Sequence, residues 1–137
     1  MKLKIAVIDG QGGGIGEQII RKLRKSLPED TEIIALGTNS IATANMMKAG
    51  ANHGATGENA IVINVPKADC VMGTISIIAA NSMLGELSPK MAEAISSSPA
   101  RKILLPLNME NIEVVGINHD PLPHLIDKII NNWQKNS

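Results

Sequence analysis

Aromatic residues are almost missing from this chain: its 137 residues contain no phenylalanine, no tyrosine and a single tryptophan, Trp133. The core must therefore be assembled from Ile, Val, Leu, Met and Ala, and there are no platforms for stacking the bases of single-stranded nucleic acid. Cysteine is as scarce. Cys70 stands alone, which rules out an internal disulfide and any thiolate metal cluster built by one chain. Net charge is missing too: 13 basic residues balance 13 acidic ones, so no broad field favours nucleic acid or an acidic partner. No apolar run approaches the ~20 residues of a membrane span, and Met1 leads into a strand-like segment without a signal-peptide pattern. The expectation is a cytoplasmic protein with neither a membrane nor a nucleic-acid partner. Its length suits a single domain, 1–137, of the usual ~100–150 residues.

What is present is an alternation of short β-branched runs with amphipathic stretches. Lys2–Ile8 reads as the first strand. Ile15, Ile19, Ile20, Leu23 and Leu27 follow at helical spacing, with Arg24 and Lys25 near the favourable C-terminal end, and Pro28 stops the helix. Glu32–Leu36 is a second strand, and Thr38-Asn39-Ser40 can cap a helix over Ile41–Ala49 that ends at Gly50. Ala51–Ala55 is a short third strand, Glu58–Val65 a helix stopped by Pro66, and Asp69–Met72 another strand. Ile75–Ala80 reads as extended and Asn81–Gly85 as a loop. Ser88-Pro89 opens a helix to about Ile95; Lys102–Leu105 and Ile112–Gly116 read as strands; Asp120-Pro121 opens the last helix. Such alternation predicts an α/β, Rossmann-like fold, with a mainly parallel sheet covered by helices on both faces. Ligands of such sheets lie beyond the carboxyl ends of the strands. The segments to search are Asp9–Gly16, Gly37–Ser40, Gly73–Ser88 and Pro106–Glu110.

The clearest motif is Asp9-Gly10-Gln11-Gly12-Gly13-Gly14-Ile15-Gly16, at the join of the first strand and first helix. Glycine lets backbone N–H groups approach a bound anion closely, and the helix that follows adds its partial positive end. Gly16 is followed by Glu17-Gln18 rather than the lysine of a P-loop, which argues against nucleotide triphosphate hydrolysis. Gly10, Gly14 and Gly16 satisfy G-x-x-x-G-x-G, a spacing that resembles the cofactor loop of short-chain dehydrogenases. Those enzymes work through a tyrosine, which this chain does not have, so their chemistry is excluded. The motif points to a nucleotide or phosphate ligand, with NAD or NADP the candidate cofactors; a purely structural tight turn is the alternative.

A dinucleotide fold usually reads the adenosine ribose with an acid about 20 residues further on. Between Glu32 and Glu58 there is no Asp or Glu. Thr38, Asn39 or Ser40 either bonds a ribose or 2′-phosphate, or simply caps the next helix. Gly73 and Thr74 stand where a backbone approaches a ligand at the end of the fourth strand. Glu86 is the candidate acid/base of a small enzyme on a phosphorylated or nucleotide-linked substrate, with Asn81, Ser82 or Asn108 as positioning groups. Alternatively, Glu86 accepts from a ribose or complements the N-terminus of the helix after Ser88. A unit of this size has no lid, so a homodimer is the expected way to close such a site. His119, Asp120 and His124 invite a metal reading, but Asp120 fits a helix cap and His124 falls off the apolar face, so no metal site is assigned. Cys70 and the methionines Met46, Met47, Met72, Met83 and Met91 read as core. A structural or interaction protein with a vestigial loop is the remaining alternative.

Read together, VIDGQGGGIG at 7–16, GELSPKMAEAI at 85–95 and KILLPLN at 102–108 resemble a small family of uncharacterised bacterial proteins of about this length, found largely in anaerobic Gram-positive organisms. The resemblance implies a compact Rossmann-like fold and carries no assigned activity. It also implies that Gly73–Ser88 belongs to the same site as the glycine loop.

Overall fold

Segments Lys4–Asp9, Glu32–Gly37 and Cys70–Thr74 carry apolar residues on both faces and so require cover from both sides, which the chain supplies. The structure, a computed structural model, describes residues 2–107 and 110–135. Along the chain run β1 (Lys4–Asp9), α1 (Gly14–Ser26), β2 (Glu32–Gly37), α2 (Ser40–Lys48), β3 (His53–Thr56), α3 (Glu58–Asn64), β4 (Cys70–Thr74), α4 (Pro89–Ser97), β5 (Arg101–Leu105) and α5 (Leu122–Lys135). The strands form one sheet in the order β3-β2-β1-β4-β5, parallel throughout.

Ile5 and Val7 of β1 pack in one layer with Ile19, Ile20 and Leu23 of α1, Met46 of α2, and Leu125, Ile129 and Trp133 of α5. Ala6 and Ile8 pack in the other with Ile61 of α3 and Met91, Ala92 and Ile95 of α4. This period-two division is what a strand buried on both faces imposes. Register places Asp9 opposite Gly37, and Val7 opposite Met72. The strand order reverses between β1 and β4, so the loops after β1, β2 and β4 converge at one edge, where such sheets take their ligands.

Local caps agree with the sequence. Asn39 caps α2 by accepting from the Ala42 N–H at 2.9 Å. Ser88 caps α4, with Pro89 in the first turn. Arg24, in the last turn of α1, donates to the carbonyls of Gly50 at 2.6 Å and Thr31 at 2.8 Å, and to Asn52. It ties α1 to the segments that flank β2.

Three expectations need correction. Ile75–Ala80 is not extended: a 3-10 helix covers Ile75–Ile78. Straight continuation would carry β4 past the sheet, whereas the turn buries Ile77 and satisfies the Thr74 and Ser76 hydroxyls against each other. Ile112–Gly116 pairs with none of the five strands, and Val115 is 92% exposed. A β-branched run forms a strand only where a neighbour takes its side chains, and α5 already covers Ile103 and Leu105 of β5. Among the methionines assigned to the core, Met47 lies partly in solvent, at 37% exposure, while Met46 beside it is fully buried. No helix among the described residues is long and apolar enough to cross a membrane.

Candidate functional site

The glycine loop sits at the convergence of three loops, and two carboxylates hold it there. Asp9 ends β1 almost fully buried. Its Oδ1 accepts from the Gly10 N–H at 2.8 Å and its Oδ2 from the Gly16 N–H at 2.8 Å. Burial pushes this carboxyl above its ordinary value, against those hydrogen bonds and one from Ile15; the nearby charge of Glu86 pushes the same way.

Glu86 comes from the loop between β4 and α4. A single oxygen, Oε1, accepts from the Gln11 N–H at 2.8 Å, the Thr38 hydroxyl at 2.7 Å and the Asn39 side-chain amide at 2.8 Å. The Gln11 bond first, then those from Thr38 and Asn39, hold the Glu86 carboxyl below the usual range. Ionised and bonded in this way, it joins the loops after β1, β2 and β4. It does not face the N-terminus of α4, where Ser88 accepts from the Met91 N–H at 3.2 Å and donates to Glu58 at 2.6 Å.

The five glycines of the loop divide into two kinds. Gly13 adopts φ +73° as the cap of α1, and a Cβ there would lie 2.8 Å from the Ala42 backbone. Gly10 and Gly16 are overlain by side chains: a Cβ on Gly10 would meet Met83 Sδ at 2.6 Å, and one on Gly16 would meet Met46 Sδ at 2.5 Å. Gly12 and Gly14 are different. Both are exposed, a Cβ on either would meet nothing within 4 Å, and their N–H groups bond to none of the described residues. The neighbouring carbonyls are held from α2, that of Gln11 by Asn39 at 2.9 Å and that of Gly12 by Asn45 at 2.8 Å.

The structure thus brings Asp9, Gly10, Gln11, Gly12, Gly13, Gly14, Ile15, Gly16, Thr38, Asn39 and Glu86 to one place. Ser40 opens α2 in solvent nearby. Gly73 and Thr74 lie beneath the surface: Gly73 packs against the Ile8 carbonyl and Ile77, and the Thr74 hydroxyl is bonded to Ser76. Ser82 is also buried and donates to the Ser76 carbonyl at 2.6 Å, while Asn81 is exposed. Asn108 lies outside the described residues. Asn45 escapes the sequence reading, and Arg24 enters it only as a charge at the end of the first helix, because nothing in the spacing pairs Asn45 with Gly12 or Arg24 with Gly50.

Elsewhere the chemistry is thin. Burial pushes the Cys70 thiol up to about 12, which leaves it inert at neutral pH. Asp120 pairs with Lys128 instead of capping α5, whose first turn is closed on the Pro121 carbonyl. Among the described residues no three His, Cys, Asp or Glu side chains are grouped to hold a metal ion. A cleft of about 380 Å³ between α1 and α5 has Arg21 and Lys22 on its walls, but these are paired with Glu17 and Asp127. Another, of about 390 Å³, lies by α3 and α4, away from the strand ends. The first also has Gln18 and Lys25 on its walls, but in neither do donors from several strand-end loops meet on one atom as they do on Glu86.

A parallel sheet of this order, with a glycine loop at its first strand-to-helix turn, defines an α/β protein of Rossmann-like fold. The chain belongs to the family described as Domain of unknown function (DUF3842), whose model matches residues 4–137. No curated protein matches it.

Proposed function

We propose that the chain binds a nucleotide, NAD or NADP among the candidates, by holding its phosphate at the Gly10–Gly16 loop. The observation that carries this reading is the pair Gly12 and Gly14. The fold makes no use of glycine at either position: neither has the positive φ that favours glycine, and a Cβ on either would meet open space. Close approach by a ligand gives both glycines a purpose, and their N–H groups are donors at the positive end of α1. Thr38 and Asn39, at the end of β2, stand on the side where such folds read the adenosine ribose.

The test is thermal unfolding against NAD, NADP, FAD, ATP and nucleoside monophosphates. A ligand at 100 times its Kd stabilises the folded state by about 2.7 kcal/mol. At least one of these ligands is expected to raise Tm, and Gly14→Val, folded and stable, is expected to lose the response. If none of the ligands shifts Tm, the reading fails.

A further inference from the structure

Three donors converging on one carboxylate oxygen form a receptor for an anionic oxygen, and here the protein fills it from its own chain. The backbone N–H of Gln11 and the Nδ2 group of Asn39 can only donate, and the Thr38 hydroxyl points its donor the same way; all three lie 2.7 or 2.8 Å from Glu86 Oε1. They come from the loops after β1 and β2. Glu86 reaches them from the β4–α4 loop, 75 residues away from Gln11 in sequence.

We propose that the Glu86 carboxylate is a resident stand-in for an oxygen of the ligand, so that a nucleotide phosphate enters the glycine loop by displacing it. This rests on the nucleotide reading above and concerns the regulation of that same site.

Charge makes displacement the favourable route. A phosphate arriving at Gly12 and Gly14 adds negative charge beside Asp9 and Glu86. Asp9 cannot leave: it is buried and bonded to the N–H groups at both ends of the loop. Glu86 can, because its side chain is half-exposed. Rotation of that side chain releases three donors at once and removes one like charge. The backbone beneath it stays fixed, since Leu87 is fully buried and its carbonyl accepts from the Asn81 N–H at 2.7 Å. Met83, packed over Gly10, belongs to the same segment and narrows the entrance. A site closed in this way keeps its donors arranged when empty. It also admits only ligands anionic enough to replace a carboxylate.

The experiment is calorimetric titration of wild type, Glu86→Gln and Gly14→Val with ADP and with inorganic phosphate. Glutamine keeps the shape and an acceptor oxygen but not the charge, and a neutral acceptor holds these donors about half as strongly. ADP is expected to bind Glu86→Gln on the order of tenfold more tightly than wild type, a change typical of charged against neutral hydrogen bonds. In heteronuclear NMR, the Gln11 amide and Asn39 side-chain amide signals of wild type are expected to move on adding ADP. Weaker ADP binding by Glu86→Gln overturns the proposal and makes Glu86 a direct ligand contact; unchanged affinity overturns it as well. Either result, with binding lost in Gly14→Val, leaves the nucleotide reading standing. If ADP and phosphate bind neither wild type nor Glu86→Gln, and the nucleotide screen is also negative, both readings fall together.

Discussion

Replacing Gly13 by alanine tests the division of the loop glycines in its sharpest form. The left-handed backbone at φ +73° costs an L-residue about 1–2 kcal/mol. The new Cβ would also lie 2.8 Å from Ala42 Cα and 2.9 Å from its carbonyl oxygen. These are backbone atoms of α2, so relief requires the helix to move, and overpacking of this kind costs about 1–3 kcal/mol. Against this, alanine stabilises by restricting the unfolded chain, by about 0.4–1 kcal/mol. The balance is a destabilisation of about 1–4.5 kcal/mol, which lowers Tm by roughly 3–16 °C at this chain length. Gly12→Ala and Gly14→Ala meet no neighbour and are expected to stay within about 0.5–1 kcal/mol of wild type, with Gly14→Ala on the stabilising side. Urea unfolding, followed by far-ultraviolet circular dichroism and by the fluorescence of the buried Trp133, measures all three. Equal losses across the series, or a Gly13→Ala protein as stable as wild type, would refute the reasoning.

Three further outcomes follow from named contacts. Arg24→Ala abandons the carbonyls of Gly50 and Thr31 and the Asn52 side chain and is expected to cost about 2–4 kcal/mol in urea unfolding; Arg24→Lys, without the planar fork, recovers less than half of that. Leu84 is 96% exposed at φ +56°, so Leu84→Gly is expected to raise stability by about 0.5–1 kcal/mol, and a loss above that size counts against strain at this turn. Because the folded-state pKa of Glu86 is lowered, the stability it contributes is present above the ordinary glutamate range and is lost as pH falls through the folded value. The difference in Tm between wild type and Glu86→Gln should therefore shrink on acidification. Asp9, raised by burial, works in the opposite sense, losing stability as pH rises through its folded value.

Most of the fold was legible because its signals are local. Ile19, Ile20 and Leu23 recur at the helical period beside Arg24 and Lys25, and Asn39 and Ser88 stand where caps belong. The failures fall where a residue's state depends on what lies across space. Ile75–Ala80 has the composition of a strand, but β4 ends at Thr74 and the chain turns to bury Ile77 over Gly73. Ile112–Gly116 has the same composition and no strand to join. Gly73 looked like a ligand-facing glycine, whereas its missing Cβ makes room for the Ile8 carbonyl, 2.7 Å from where that Cβ would lie. Composition shows that a glycine is needed; only packing shows for what.

Packing across space also brings an acid to the glycine motif, which has none about 20 residues further on. A dinucleotide fingerprint looks for it about 20 residues beyond the glycines because β2 is normally the strand that carries it. Here β2 ends in Gly37, Thr38 and Asn39, with no acid. The strand order, however, sets β4 beside β1 and opposite β2, so the loop after β4 can reach over the first turn. Glu86 arrives by that route and bonds to Gln11, Thr38 and Asn39 together. An acid missing from a sequence window can thus reach the glycine loop from elsewhere in the chain. It does arrive with a different bonding state, its Oε1 already accepting three hydrogen bonds where a ribose-reading acid presents free acceptors. That difference is why the response of ADP affinity to Glu86→Gln is informative in sign: tighter binding marks a carboxylate that yields its place, and weaker binding one that keeps it.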